Sequence, residues 1–380
     1  MQYRLIFATL VMAVLSLGFR EALLQSATVV VVPATEQDSV HRWGVSLAGP
    51  EFGTDSATFC NESPGVFGRD YTYNSEPSVR YFCSKGATLL RIPIRWERIQ
   101  PRLGQSLDEL ELARLRVLVG WAAKHRGRVI IDVHNFGRYT MFADGRPRSL
   151  IIDQECKGQT PVSRHHFADL WRRLALAFHD EPAVQSFGLM NEPHDMGVSN
   201  WHKISQVAVD AIRATGDTRQ ILVAGNDWSK AHRFAAANGP KAWIRDPADN
   251  IAYEAHCYFD RDGSGRYEKS YDQEAAGDSQ LQERGEERLR DFSTWCSTNR
   301  VKGFIGEYAV PGNDPRWLQC LENFQSAMRA ANMDGCYWAG GEWWGNYPLS
   351  IQPSAGFTQD AKALRVLMNS SGNRVSKGDS

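Results

Sequence analysis

Eight short aliphatic runs, separated by stretches with helical periodicity, constrain this sequence more than any other feature. They are Trp43–Leu47, Thr88–Ile92, Val129–Asp132, Ser186–Met190, Ile221–Ala224, Ile251–His256, Gly303–Gly306 and Gly335–Ala339. Several are continuous β-branched or aliphatic runs, the pattern of strands buried on both faces. Between them, Ser106-x-x-Glu109 reads as a capping box, followed by Leu110, Ala113, Val117 and Trp121 at spacings of three and four. Phe167, Leu170, Leu174 and Phe178 repeat that spacing, as do Ile204, Val207 and Ala211. Asp314 before Pro315 marks a helix start, with Leu318, Leu321 and Met328 on one face. Strands alternating with helices predict a parallel sheet, and eight such units predict an α/β fold closed as a (β/α)8 TIM barrel. The competing architecture is an open doubly wound sheet. It would carry a Gly-rich phosphate loop if it bound a nucleotide, and the chain has neither Gly-x-Gly-x-x-Gly nor a P-loop.

At 380 residues the chain fits one such barrel with insertions. Residues 1–18 read as a signal peptide: Arg4, an apolar run from Leu5 to Leu15, then Ser16-Leu17-Gly18 as a cleavage pattern. Residues 19–40 form a linker, 41–369 the catalytic barrel and 370–380 a disordered tail. Arg20 and Glu21 break the apolar stretch, although Ala27–Ala34 is apolar again and leaves an uncleaved anchor open. The expected location is therefore secreted or periplasmic. A formal net charge of -1 gives no footing for nucleic acid. Export permits disulfides, but seven cysteines leave at least one unpaired, and Cys336 reads as a buried thiol in a strand. No Cys-x-x-Cys occurs, which argues against zinc. Asp260-x-Asp262-x-Ser264-Gly265 opens like a calcium loop, but its twelfth position is Tyr271 rather than a bidentate Glu. No metal and no cofactor is expected, and no obligate protein partner; the chain reads as a monomer.

In such a barrel the reactive side chains sit at the C-terminal ends of strands. Reading those ends gives Arg91, His134, Asn191, Glu192, His256, Tyr258, Glu307 and Trp338. Any one of them is ordinary, since a carboxylate after a strand is usually solvated or caps a helix. Together they place two carboxylates, two imidazoles and a guanidinium on one rim. Paired carboxylates across a cleft are what glycosidic cleavage requires, one to protonate the leaving oxygen and one to attack or to activate water.

The stretches Leu-Arg-Ile-Pro-Ile-Arg-Trp-Glu-Arg-Ile-Gln-Pro, Ile-Asp-Val-His-Asn, Leu-Met-Asn-Glu-Pro-His, Tyr-Glu-Ala-His-Cys-Tyr-Phe-Asp, Gly-Phe-Ile-Gly-Glu-Tyr and Tyr-Trp-Ala-Gly-Gly-Glu-Trp-Trp-Gly occur in that order. With them the chain, from about Arg42 to Pro353, resembles glycoside hydrolase family 5, the cellulase family. Gly137-Arg138-Tyr139, the Ala-Gly-Asn-Asp-Trp-Ser stretch around Trp228 and Trp343–Trp344 look like its endo-β-1,4-glucanases. The resemblance implies Glu192 as acid/base and Glu307 as nucleophile. It also implies that Arg91, His134, Asn191, His256, Tyr258 and Trp338 line the subsite of the reacting sugar. Cys257 and Glu342 depart from the family pattern, where Gln and Pro are frequent, and both are expected beside the cleft.

The expected reaction is double displacement with retention on a β-linked polysaccharide or oligosaccharide. Arg91 and Tyr258 would stabilise the Glu307 anion, whose charge would keep Glu192 protonated. Asn191 would donate to the sugar 2-hydroxyl, His134 and His256 would orient hydroxyls or Glu192, and Trp338 would stack on a ring. Trp343, Trp344, Trp228, Tyr139 and Phe136 are candidates to extend that platform; Glu254 reads as structural. Other readings are a family 5 hydrolase of β-1,3-glucan, mannan, xyloglucan or short β-glucosides, and a non-catalytic sugar-binding protein. A cytosolic metabolic barrel enzyme lacks its phosphate site.

Overall fold

The computed structural model describes residues 42–156 and 158–370. The signal peptide, the linker and the tail past Ser370 lie outside the described residues. Ten strands run in chain order: β1 (Trp43–Leu47), β2 (Leu89–Ile94), β3 (Arg128–Val133), β4 (Arg138–Ala143), β5 (Arg146–Ile151), β6 (Val184–Gly188), β7 (Gln220–Ala224), β8 (Ile251–His256), β9 (Lys302–Tyr308) and β10 (Asp334–Gly340). Eight of them close a parallel barrel in the order β1-β10-β9-β8-β7-β6-β3-β2. These are the eight expected strands, with limits that differ by a few residues at most. The surrounding helices are α1 (Glu76–Ser84), α2 (Trp96–Ile99), α3 (Glu109–Lys124), α4 (Arg164–Ala177), α5 (Trp201–Arg213), α6 (Phe234–Asn238), α7 (Tyr271–Ala275), α8 (Arg284–Asn299), α9 (Pro315–Ala330) and α10 (Lys362–Ser370). Among the described residues no helix is long and apolar enough to cross a membrane.

Successive side chains on a strand point to opposite faces, so each barrel strand feeds both cores. Leu89, Ile130, Leu222, Ala252, Phe304 and Cys336 form a buried apolar floor inside the barrel. Two residues further along the same faces come Arg91, Asp132 and Glu254, and then His134 and His256. β9 departs from this alternation. Its pairing with β8 slips by one residue, so that Ala255 faces Ile305 but His256 faces Glu307. The slip, a bulge-like device, lifts Glu307 to the level of His256. Gly306 makes room below, because a Cβ there would collide with the Glu254 carboxylate.

Three expectations change in the structure; on α5 the buried face runs through Ile204, Ala208, Val209 and Ile212 rather than Val207 and Ala211. β4 and β5, absent from the sequence reading, form an antiparallel hairpin projecting from the C-terminal rim after β3. Its turn is Asp144-Gly145, with φ of 51° and 74°, the Asp-Gly signature of a two-residue hairpin. The start and the buried face of α3 also differ. Asp108 rather than Ser106 caps it, its carboxylate accepting from the Leu110 and Glu111 amides at 3.0 and 2.9 Å. Glu111, Leu115, Leu118, Val119 and Ala122 face inward, while Leu110 and Val117 are exposed. Two adjacent stripes satisfy a three-and-four spacing in this segment. Packing selects the one containing Glu111, whose carboxylate accepts from the hydroxyls of Tyr71 and Tyr73.

The cap can be tested directly. Asp108→Ala should lower stability by about 0.5–2 kcal/mol and Ser106→Ala by less than about 0.5 kcal/mol in denaturant unfolding.

Candidate active site

The floor of the site is a buried ionic cluster centred on Arg91, which sits in mid-strand on β2 rather than at its end and is inaccessible to solvent. Its Nη1 donates to Glu307 Oε1 at 3.0 Å. Its Nη2 donates to Asn191 Oδ1 at 2.7 Å and lies 3.2 Å from Asp132 Oδ1 and 3.5 Å from Glu254 Oε1. Burial raises Asp132 to about 6 against the pull of Arg91, which leaves it ionised at neutral pH. It therefore accepts from His134 Nδ1 at 3.0 Å. Burial holds His134 well below the usual histidine range, so it is neutral and its Nε2 accepts from Asn191 Nδ2 at 3.3 Å. Asn191 is thus oriented at both ends, with one amide hydrogen left for a ligand. His134 orients Asn191 rather than Glu192.

Above this floor, Glu192 and Glu307 meet around His256. One carboxylate oxygen from each and one His256 nitrogen all lie within 4.8 Å of one another. His256 Nδ1 is 2.7 Å from Glu192 Oε1 and 3.5 Å from Glu307 Oε2, and its Nε2 is 3.2 Å from Glu254 Oε1. Burial disfavours charge on this imidazole, but the surrounding carboxylates, Glu307 foremost, outweigh it and raise its pKa to about 10. An imidazolium donates from both nitrogens. Burial likewise works against the Glu307 anion, yet His256 and Arg91 overcome it and hold this carboxyl below the ordinary glutamate value. Tyr258 adds a hydrogen bond to its Oε2 at 2.7 Å. Glu192 goes the other way. Burial raises it first and the Glu307 charge adds to this, against the opposing pull of His256. The two carboxyl groups are therefore driven apart in acidity, and the cause at Glu192 is chiefly desolvation rather than Glu307 alone.

Aromatic side chains form the rim. Trp338 stacks on His134 with ring centres 5.3 Å apart and meets Trp344 edge-on. Trp344 in turn stacks on Tyr347 at 4.2 Å and packs against Phe52. Trp343 is exposed. On the other side Trp228 stacks on His194, with Phe136 against the histidine edge. Tyr139 is no part of this rim. It is fully buried against Trp96, and its hydroxyl donates to the Gln100 and Pro101 carbonyls.

Cys257 and Glu342 do not face the cleft as expected. His256 points inward, so its neighbour Cys257 points outward, its Sγ toward the Gly285 carbonyl at 3.7 Å. Glu342 is turned away and accepts from Ser75 N, Ser75 Oγ and Ser78 Oγ, pinning the Trp343–Trp344 loop to the start of α1. The Asp260 carboxylate is occupied by its own loop, accepting from Ser264 Oγ and the Gly265 and Tyr267 amides. All seven cysteines are free thiols. Asp132, His194 and Tyr347 were missed in the sequence, and Glu254, read as structural, belongs to the ionic cluster one level below His256. Asp132 stands two residues before His134, so strand periodicity alone could have found it.

A family model described as cellulase (glycosyl hydrolase family 5) matches residues 47–347. Endo-beta-1,4-glucanase B of Aspergillus niger is 32% identical over 326 residues, which is 84% of this chain and 87% of that protein. The enzyme of the same name from Emericella nidulans is 32% identical over 86% of this chain and 91% of its own length. Among solved structures, Pseudomonas stutzeri endoglucanase Cel5A in complex with cellobiose superposes with a TM-score of 0.75 at 32% identity, covering 88% of this chain and 93% of that one. XacCel5A in complex with cellopentaose gives 0.74 at 32% identity, covering 87% and 99%.

Removing Arg91 would leave Asp132, Glu254 and Glu307 buried without their shared cation. Arg91→Met should cost about 3–5 kcal/mol at neutral pH. The deficit should shrink on acidification, because Asp132, raised to about 6, protonates across this range and removes part of the uncompensated charge. Unfolding of both proteins at pH 7 and pH 4.5 checks both parts.

Proposed function

Because this chain belongs to glycosyl hydrolase family 5, the cellulase family, we propose that Glu307 is the nucleophile and Glu192 the acid/base of a retaining endo-β-1,4-glucanase. The observation that carries the assignment is a pair of carboxyl groups, one oxygen of each within 4.8 Å of the other, with acidities displaced in opposite directions. An approach that close suits the double-displacement route, in which one carboxylate attacks the anomeric carbon directly.

In the first step a Glu307 oxygen bonds to the anomeric carbon as the glycosidic C–O bond breaks. The proton of Glu192 goes to the departing oxygen. His256, Arg91 and Tyr258 keep Glu307 ionised beforehand, Arg91 donating to Oε1 and Tyr258 to Oε2. Ester formation then removes the Glu307 charge that helped to raise Glu192. His256 is left to favour the Glu192 carboxylate at 2.7 Å. That carboxylate takes a proton from water, the water oxygen bonds to the anomeric carbon, and Glu307 leaves. Asn191, with its free amide hydrogen, supplies a hydrogen bond to the 2-hydroxyl, a contact that strengthens in the transition state. Trp338, Trp343 and Trp344 offer flat faces to successive sugars.

The substrate is a cellulose-type β-1,4-glucan chain, in keeping with the named relatives and with the cellobiose and cellopentaose bound to the two bacterial enzymes. The apolar run near the N-terminus supports action outside the cell, where such polymers occur.

Two outcomes test this reading. In a hydrolysis panel of carboxymethylcellulose, mixed-linkage glucan, laminarin, galactomannan and xyloglucan, the cellulose derivative should lose viscosity quickly and yield short oligomers. Glu307→Gln should abolish turnover while retaining oligosaccharide binding, and Glu192→Ala should slow poor leaving groups far more than activated aryl glycosides. Near-normal cellulose hydrolysis by either variant would refute the assignment. The pH profile of kcat/KM should be bell-shaped. Its acid limb marks protonation of Glu307, below the ordinary glutamate value. Its alkaline limb marks deprotonation of Glu192, above that value. With an activated aryl glycoside the alkaline limb should weaken, because the leaving group then needs little acid.

A further inference from the structure

Glu192 has φ of 46°, a left-handed conformation for a side chain with a Cβ. Such a conformation persists only where the surroundings over-determine it. The bonds that do so converge on His194. Its Nδ1 lies 3.0 Å from the Glu192 carbonyl oxygen. A carbonyl can only accept, so Nδ1 carries the hydrogen and donates. The imidazole plane is fixed from two sides. Trp228 stacks on it with ring centres 4.3 Å apart and planes 7° apart, and Phe136 meets it edge-on at 5.8 Å.

Both flanking residues are held by the same loop. The Phe136 amide donates to the Asn191 carbonyl at 3.0 Å, and the Trp228 amide donates to the Pro193 carbonyl at 3.3 Å. Phe136 and Trp228 both have φ of 57°, and Asp227 and Ser229 beside Trp228 are left-handed too. Three unusual backbone segments, after β3, β6 and β7, thus meet around one imidazole. At its other end Glu192 is held only at the side-chain tip, by His256.

We propose that His194 is a positioning residue for Glu192. Its Nδ1–H fixes the peptide after Glu192 and so aims the carboxyl at the departing oxygen. This rests on the assignment of Glu192 as acid/base. His194 acts through the backbone and exchanges no proton with substrate. The stack with Trp228 keeps the ring plane, and hence the N–H direction, constant.

The test compares His194→Phe, which keeps a flat ring on Trp228 and loses the donor, with His194→Gln, which can return an N–H toward the carbonyl. The readout is kcat/KM on cellopentaose and on a dinitrophenyl β-cellobioside, whose leaving group needs no proton. His194→Phe should lose about 10- to 100-fold on cellopentaose but less than about threefold on the aryl glycoside, as expected for a displaced acid. His194→Gln should recover part of that loss. Equal losses on both substrates, or a loss confined to KM, would overturn the proposal, since a purely structural role produces no leaving-group dependence. Should His194→Phe fail to fold, His194→Leu replaces it with the same expected split. Glu192→Ala measured alongside separates the two levels. If it shows no leaving-group dependence, the acid/base assignment fails. If it does and the His194 variants do not, only the positioning role fails.

Discussion

A guanidinium with no access to water holds this site together. Arg91 cannot lose its proton, so its charge must be met inside the barrel, and Asp132, Glu254 and Glu307 meet it. Each of those carboxylates then directs something above it. Asp132 fixes the tautomer of His134, which orients Asn191. Glu254 and Glu307 keep His256 protonated, and His256 reaches Glu192. Ion pairs this deep gain little net stability over an apolar core, because desolvation offsets most of the attraction. What the cluster supplies is a set of fixed dipoles and charges already in place before a substrate arrives.

The barrel makes that arrangement buildable. The pleat advances two residues per step on one face, so the same strands that provide the apolar floor at Leu89, Ile130 and Ala252 provide Arg91, Asp132 and Glu254 one level up. His134 and His256 follow one level above those. Glu307 alone needs a correction to this arithmetic, and the register slip between β8 and β9 provides it.

The strand runs were legible because a buried parallel strand leaves an aliphatic signature, and the eight candidate site residues were legible because they stand at or near the ends of those runs. What escaped depends on choices between equivalent local patterns. The segment of α3 offered two apolar stripes, and packing selects the one that also carries Glu111 to the tyrosines at 71 and 73. Cys257 and Glu342 are neighbours of cleft residues in sequence but turn away in space, which strand alternation explains for the first and the hydroxyls of Ser75 and Ser78 for the second. His194 lies on a loop, where no periodicity says which way a side chain points. The β4–β5 hairpin carries its signature at Asp144-Gly145, but Arg146-Pro147-Arg148 interrupts the apolar pattern on the β5 side.

The ionic floor and most of the aromatic rim sit on different kinds of backbone. Arg91, Asp132, Glu254, His256 and Glu307 are on strands bonded to neighbours on both sides. Phe136, His194, Trp228, Trp343, Trp344 and Tyr347 are on connecting loops. Loops open at a small fraction of the free energy needed to separate barrel strands. On warming, the aromatic rim and the loop that carries Glu192 would therefore loosen first, while the ionic floor stayed assembled beneath them. The same division lets the loops be rewritten by mutation, one at a time, without unsettling the ionic floor.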